Sequence, residues 1–165
     1  MADVFTKAKR SQVMSRIRGR GNKDTELALA KLLRANRIVG WRRQRKLIVD
    51  SRKPRTKVHQ PSTKHHQLTV TPDFVFPKMR VAVFVDGCFW HGCPKHATKP
   101  KNNRVFWRRK LAANKRRDAL VTRTLRRAGW HVLRIWEHEL EWANKDKTHE
   151  TRLLKRLSAS LRPRA

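Results

Sequence analysis

The sequence has little negative charge and no long apolar run. No segment approaches the roughly 20 apolar residues that a membrane-spanning helix needs, and the first ten residues lack the apolar core of a secretory signal. Only 12 acidic residues stand against 42 lysines and arginines, which gives a formal net charge of +30. Such a charge favours a polyanionic partner, above all a nucleic acid. We therefore expect a cytoplasmic, nucleoid-associated protein that has no membrane partner.

Cysteine is also scarce, and its placement indicates a metal rather than a disulfide framework. Cys88 and Cys93 lie close together among histidines, in a chain expected to be cytosolic. The spacing C-x4-C-x2-H adds His96, and the later segment WEHEL offers His138. Two thiolates and two imidazoles match a closed tetrahedral structural zinc site. The alternative is a pair of free cysteines in a turn.

The apolar pattern predicts an α/β protein. A chain of 165 residues fits one domain with one core. The predicted elements are a helix from about 24 to 35, a strand over 41–49, strands at 71–76 and 80–85, a helix from about 105 to 128, a strand at 130–136 and a helix over 147–161. This order predicts a mixed sheet packed against helices.

Two basic segments lie outside these predicted elements, one before the first helix and one between the strands at 41–49 and 71–76. Residues 1–22 are expected to form an N-terminal arm, in which the spacing of Met14 and Ile17 predicts that they lie on one side of a short helix. These two side chains either anchor the arm on the domain or wedge between DNA base steps. Residues 50–70 hold two prolines and no apolar periodicity, which predicts a flexible loop inserted into a single domain over 23–165.

The few acids near strand ends are candidates for metal chemistry. Asp73 begins a strand, and Asp86 ends the neighbouring one. Mg²⁺ prefers one or two carboxylates together with waters and substrate phosphates, so Asp73 can hold this ion. For any single acid the alternative is a salt bridge with the abundant arginines, and this alternative is strong for Asp118. His91 is left over from the cysteine cluster, and an imidazole can take a proton near neutral pH.

The sequence resembles the very short patch repair endonucleases over most of its length. The resemblance is carried by RSQVMSRIRGRGNKDTELALAKLL, PDFVFPKMRVAVFVDGCFWHGCPKH, FWRRKLAANKRRD and GWHVLRIWEHEL, with DGCFWHGCP the most specific block. It implies a restriction-endonuclease-like core with a mixed central sheet flanked by helices. It also implies Mg²⁺-dependent nicking of one DNA strand at a T:G mismatch, 5′ to the thymine, at the start of mismatch repair. The implied partners are mismatched double-stranded DNA and mismatch-repair proteins, and the chain is expected to act as a monomer.

The resemblance also implies roles for individual residues. Asp73 matches the metal-binding aspartate, His91 the catalytic histidine and Asp118 the acid that supports it. Glu26 matches a further acid near the site. A second magnesium contact is expected from the Val85 carbonyl, from Asp86, or from both. The remaining matches are Phe89, Trp90 and Trp107, aromatics that insert beside the mismatch; Met14 and Ile17, a minor-groove wedge; and Cys88, Cys93, His96 and His138, the structural zinc ligands.

Two other functions stay open at this point. A homing-type or restriction-type endonuclease could use the same active site on matched DNA, although the chain carries no extra DNA-binding domain for a long recognition site. A non-enzymatic, zinc-stapled basic protein could bind DNA without cutting it. The joint presence of Asp73, His91 and Asp118 argues against this second alternative.

Overall fold

A computed structural model of the protein describes residue 12 and residues 23–50, 67–98 and 100–162. The strands are β1 (Arg42–Arg43), β2 (Leu47–Asp50), β3 (Gln67–Val70), β4 (Phe74–Phe76), β5 (Val81–Asp86) and β6 (His131–Trp136). A short π-helical segment (Lys23–Leu27) leads into α1 (Ala28–Ala35), which is followed by α2 (Arg104–Arg127), α3 (Glu137–Lys145) and α4 (Lys147–Leu161). Met14 and Ile17 lie outside the described residues, and so does most of the predicted basic loop.

The central sheet has the strand order β1-β4-β5-β6. Its β5–β6 pair is parallel, whereas β1–β4 and β4–β5 are antiparallel. Strands β2 and β3 form a separate antiparallel pair. The predicted mixed α/β architecture is therefore confirmed.

Alternation along β5 divides the core between the two faces of the sheet. Successive side chains of a strand point to opposite faces. Val81 and Val83 pack in a buried cluster with residues of α1, α3 and α4. Ala82 lies in a second cluster with Val132 of β6 and Leu125 of α2. The end of β5 consequently brings polar side chains under α2 on one face only.

The two long helices match their predicted ranges closely. The 24 residues of α2 run from Arg104 to Arg127, and left-handed Gly129 (φ +77°) follows the helix. Gly129 suits this conformation because it has no Cβ. Helix α4 begins after Asp146, whose carboxylate accepts a hydrogen bond from the Thr148 amide at 2.9 Å.

The secondary-structure prediction is wrong at two places and leaves out a third element. The predicted strand over 41–49 is broken at Gln44, where a left-handed backbone (φ 48°) separates β1 from β2. The predicted basic loop over 50–70 includes β3, because Val70 and Leu68 pack beside β2 in the second cluster. The segment after β6 forms α3, an unpredicted helix whose Leu140 and Ala143 are buried. None of the helices in the described ranges is long and apolar enough to cross a membrane.

Candidate functional site

A cleft of about 570 Å³ lies where β5 ends, beneath α2 and beside the π-helical segment. Polar side chains from every neighbouring element face it. They include Glu26, Asp73, Asp86, His91, Asp118 and Arg134. The fold therefore gathers into one cleft the four acids and the histidine that the sequence singled out.

His91 and Asp118 form a direct pair in this cleft. The His91 Nδ1 atom lies 2.6 Å from Asp118 Oδ2, and both side chains are about four-fifths buried. An ionised carboxylate only accepts hydrogen bonds, so His91 Nδ1 carries the hydrogen and donates it. The other ring nitrogen, Nε2, is then the basic atom of the imidazole.

Asp73 is a partly buried carboxyl, and no lysine or arginine among the described residues forms an ion pair with it. Its Oδ2 accepts a hydrogen bond from the Val85 amide at 2.7 Å. Burial is the main cause that raises the pKa of Asp73 from 3.8 to about 6; the Val85 hydrogen bond opposes this, while the Glu26 and Asp86 charges add to it. A cation at this point would relieve both effects, so the residues present fit a hard divalent ion with oxygen ligands.

Glu26 is held by side chains from the strand break. Its Oε2 accepts hydrogen bonds from Arg43 Nη2 at 2.9 Å and from Gln44 Nε2 at 2.7 Å. The backbone amide of Gln44 also donates to the Asp73 carbonyl at 3.0 Å. Gln44, the left-handed residue that follows β1, thus links Glu26 to the segment that contains Asp73.

Asp86 is engaged by Arg134, a residue that the sequence reasoning missed. Arg134 Nε and Nη2 donate to the two Asp86 oxygens at 2.5 and 2.6 Å. Arg134 Nη2 also lies 3.2 Å from Asp118 Oδ1. A signal was present, because an arginine inside the apolar strand WHVLRIW needs an acidic partner on its own face of the sheet.

The turn after β5 presents His91 and an aromatic cluster together. Amide-to-carbonyl hydrogen bonds from His91 to Gly87 (3.1 Å) and from Cys93 to Cys88 (2.9 Å) close the turn. Gly92 follows His91 with φ +62°, a conformation that favours glycine. The order of residues in DGCFWHGC is thus tied to the turn geometry.

Three aromatic rings from two elements meet beside the cleft. The Phe89 centroid lies 5.1 Å from that of Trp90 and 5.2 Å from that of Trp107 on α2. Trp90 and Trp107 are 5.9 Å apart. All three side chains are half-buried, and Asn114 of α2 holds the turn by donating to the Trp90 carbonyl at 3.0 Å. The cluster therefore keeps part of its aromatic surface available to a ligand.

Cys88, Cys93, His96 and His138 come together beyond the turn. One ligand atom from each lies within 4.8 Å of all the others. His138 Nδ1 is 3.1 Å from Cys88 Sγ and 3.7 Å from Cys93 Sγ, and Cys93 Sγ is 3.8 Å from His96 Nδ1. Zinc bond lengths in a tetrahedron separate ligand atoms by about 3.3–3.8 Å. The donor set and its spacing fit a metal ion.

The pKa values of Cys88 and His138 are shifted toward their uncharged forms. Burial raises the pKa of the Cys88 thiol to about 11, and burial also lowers the pKa of His138. A bound divalent ion reverses the first effect, because thiolates are the ligating form. The site joins the turn to α3, because His138 belongs to that helix. The Cys88 amide also donates a hydrogen bond to the Glu137 carboxylate of the same helix at 3.0 Å.

Comparison with known proteins places these features in a family. The family model of DNA mismatch endonuclease Vsr matches residues 62–97, which include Asp73, His91 and three members of the cysteine–histidine cluster. The type II nicking enzyme V.NaeI of Lentzea aerocolonigenes is 54% identical over 70 residues, 42% of each chain. DNA mismatch endonuclease Vsr of Escherichia coli K12 is 36% identical over 87 residues, 52% of this chain and 54% of that one.

One relative matches along most of its length. The chain spans about half the length of V.NaeI and of E. coli Vsr. In contrast, the type II nicking enzyme V.NmeAIP of Neisseria meningitidis serogroup A is 32% identical over 143 residues, 86% of both chains. The resemblance found in the sequence is confirmed, and the chain belongs to the Vsr family of DNA mismatch endonucleases.

Proposed function

We propose that the protein is a Mg²⁺-dependent DNA endonuclease that nicks one strand at a T:G mismatch, 5′ to the thymine, and so starts very short patch repair. The observation that carries this proposal is the His91–Asp118 pair at 2.6 Å, which shares a cleft with the partly buried Asp73 carboxyl. A base, its supporting acid and a metal-binding carboxylate are the parts that phosphodiester hydrolysis needs. DNA nicking is also what the names of the matched relatives describe.

His91 acts as the general base. Because Nδ1 donates its hydrogen to Asp118, the lone pair on Nε2 is the one that takes a proton from the attacking water. Asp118 holds this tautomer and stabilises the imidazolium that forms. The chain thereby generates the nucleophile with its own side chains.

Asp73 is the magnesium ligand in this proposal, with the Val85 carbonyl as a second contact. When bound, the ion supplies Lewis-acid polarisation of a phosphate oxygen. Asp86 is a weaker candidate for this role because both of its oxygens already accept hydrogen bonds from Arg134. Glu26, oriented by Arg43 and Gln44, keeps the Asp73 side of the cleft negative.

Cys88, Cys93, His96 and His138 hold a structural zinc ion in this proposal. Four protein ligands close the coordination shell, so this site serves the fold rather than the reaction. The zinc ion attaches the turn, which includes His91, to helix α3. The chain is then a restriction-endonuclease-like domain over 23–165, with residues 1–22 as an arm around DNA.

The Phe89, Trp90 and Trp107 rings open the duplex at the mismatch. Stacking an aromatic ring on a base is worth about 1–3 kcal/mol, and it displaces a mispaired base more easily than a paired one. The exposed arginines and lysines bind phosphates, which positions the duplex without selecting sequence. Selection of the mismatch therefore falls to the aromatic cluster.

The proposal is tested by strand-resolved cleavage with Mg²⁺. One labelled duplex carries a T:G mismatch in varied sequence contexts, and the other is the fully paired T:A version. We expect a nick only in the mismatched duplex, on the thymine strand. Cutting of paired DNA would instead favour a homing-type or restriction-type enzyme, and tight salt-sensitive binding without cutting would favour a DNA-binding protein.

Replacing the helix-borne aromatic ring should weaken mismatch selection. Trp107→Ala is expected to lower the ratio of nicking rates on T:G and T:A duplexes by about tenfold or more, since it removes one stacking surface. The matched control is Val105→Ala on the same helix, where the side chain is 54% exposed. Equal ratios for the parent and Trp107→Ala would show that the cluster has no part in selection.

A further inference from the structure

Arg134 joins two acids that the proposed mechanism treats separately. Its guanidinium binds both Asp86 oxygens at 2.5 and 2.6 Å and lies 3.2 Å from Asp118 Oδ1. The Asp86 side chain is only 4% exposed and that of Arg134 is 24% exposed. The three side chains form one connected ionic network beneath α2.

The sheet geometry explains why Arg134 reaches both acids. In the parallel β5–β6 register, Arg134 is opposite Phe84, two residues before Asp86. Residues two apart on a strand share a face, so Phe84, Asp86 and Arg134 all lie under α2. The Arg134 Cζ atom sits 5.2 Å from the centre of the Phe84 ring. The ring and the Asp86 carboxylate together fix the guanidinium plane.

A fixed guanidinium constrains the carboxylate that it touches next. The donors of arginine point in a rigid planar fork. Arg134 Nη2 is held on Asp86 Oδ1, and it also engages Asp118 Oδ1. The other Asp118 oxygen, Oδ2, is the atom that accepts from His91 Nδ1 at 2.6 Å. Rotation of the Asp118 carboxylate would break both contacts.

We propose that Arg134 is a positioning residue for the His91–Asp118 pair, holding Asp118 so that one oxygen stays on His91 Nδ1. This inference rests on the proposed function for the role of His91 as base, but the geometry of the pair can be measured without cleavage. Arg134 touches neither the reacting water nor the metal in this scheme. It acts through Asp118, and Asp86 anchors it.

The rival role for Arg134 is direct binding of a DNA phosphate. Two carboxylates already form ion pairs with its guanidinium, so much of its charge is compensated within the protein. Burial opposes the charged form of Arg134, but the contacts with Asp86 and Asp118 outweigh it and raise the pKa of the guanidinium. A phosphate would have to displace an acid from an ion pair that is already formed. The network therefore favours positioning over phosphate binding.

Four variants separate these roles. Arg134→Met removes the guanidinium group, and Arg134→Lys keeps a positive charge without the planar set of donors. Arg134→Met leaves the buried Asp86 carboxylate without its guanidinium partner, and only His91 Nδ1 then lies near it among the described residues, at 3.6 Å. This loss can cost about 3–5 kcal/mol, so a double variant with Asp86→Leu and Arg134→Met removes that charge as well. Arg152→Met, at an exposed position on α4, is the matched loss of one positive charge.

The cleavage readout is the single-turnover rate constant with saturating enzyme, set against the dissociation constant for T:G duplex. We expect Arg134→Met and the double variant to lose about 10–100-fold in rate, the usual cost of removing an orienting partner. Arg134→Lys should fall between Arg134→Met and the parent. The dissociation constants should stay within about threefold of the parent, as should both constants of Arg152→Met. If Arg134→Met had a larger dissociation constant and an unchanged rate constant, this would overturn the proposal in favour of phosphate binding.

The second readout is the tautomer of His91 in the DNA-free protein, from ¹⁵N chemical shifts assigned by comparison with His91→Gln. The parent and Arg152→Met should show the Nδ1–H form. Arg134→Met and the double variant should show a mixture with the Nε2–H form. A single Nδ1–H form in every variant would overturn the proposal. If the parent fails to nick any duplex, the proposed function fails while this measurement still decides the role of Arg134.

Discussion

Asp73→Asn should abolish nicking and, in Mg²⁺-free buffer, make the protein more stable at neutral pH. The asparagine keeps an oxygen that can accept the hydrogen bond from the Val85 amide, whose nitrogen lies 2.7 Å from Asp73 Oδ2 in the parent. It removes a partly buried carboxylate that lies near the charges of Glu26 and Asp86. DNA binding should be largely retained, because the variant loses a negative charge from a surface that binds phosphates.

The sign of the stability effect follows from the raised pKa. Asp73 has a pKa of about 6 in the folded protein, compared with an ordinary value of 3.8. Between these two values the folded state binds more protons than the unfolded state, so stability falls as pH rises through this window. The penalty is complete above about pH 6 and amounts to on the order of 2–3 kcal/mol. Below the ordinary pKa it vanishes.

Chemical denaturation measures this effect at about pH 8 and about pH 4. We expect Asp73→Asn to exceed the parent in unfolding free energy at the higher pH and to match it at the lower one. The control is Asp146→Asn, since hydrogen bonds from the Thr148 amide and from His149 lower the pKa of this exposed acid. That variant should show no stabilisation at the higher pH. A pH-independent difference for Asp73→Asn would contradict the idea of a destabilising buried charge, and nicking at the parent rate would exclude Asp73 as the metal ligand.

Cys93→Ala should cause the largest loss of stability. Its side chain is 2% exposed, and its sulfur lies 3.7 Å from His138 Nδ1 and 3.8 Å from His96 Nδ1. Loss of a metal ligand belongs to the few mechanisms that cost more than about 4–5 kcal/mol. Elemental analysis of the parent should find one zinc per chain, and the variant should hold less.

Zinc depletion separates metal loss from the loss of a packed sulfur atom. Unfolding is compared for the parent and for Cys93→Ala, each with and without zinc. The parent should lose stability when zinc is withdrawn, whereas the variant should change little, because its site no longer closes. Equal effects of zinc on both proteins, or a stable parent that contains no zinc, would refute the structural metal site.

The elements with a clear apolar period were predictable from sequence, and those set by tertiary contacts were not. The ranges of α2, β6 and α4 follow from runs that begin and end at recognisable signals, such as Gly129 after α2. The break at Gln44 was hidden because nothing in WRRQRKLIV marks a left-handed glutamine. That conformation is held by contacts with Glu26 and Asp73, residues far away in sequence.

The candidate site divides in the same way. The grouping of Cys88 and Cys93 is local in sequence, and Asp73 and Asp86 could be singled out because they lie at the ends of predicted strands. Glu26 came only from the resemblance to the family. The link between Asp86 and Arg134 spans 48 positions and depends on the parallel register of β5 and β6. No periodicity gives a register between strands that are separated by a helix of 24 residues. The strand WHVLRIW shows that Arg134 needs an acidic partner, but only the folded structure shows that its partners are Asp86 and Asp118.

The two faces of the central sheet differ in how many amino-acid substitutions they can tolerate. On the face toward α1, α3 and α4 the sheet packs in a large apolar cluster that includes Val83 and Ile135. Such a surface accepts coordinated changes of similar volume. On the face toward α2 the sheet ends in fixed donors and acceptors, and a change at Asp86 obliges a change at Arg134. In laboratory evolution for heat resistance, single substitutions should therefore be tolerated more often on the first face. On the second face, the effect of one substitution should depend on its partner residue.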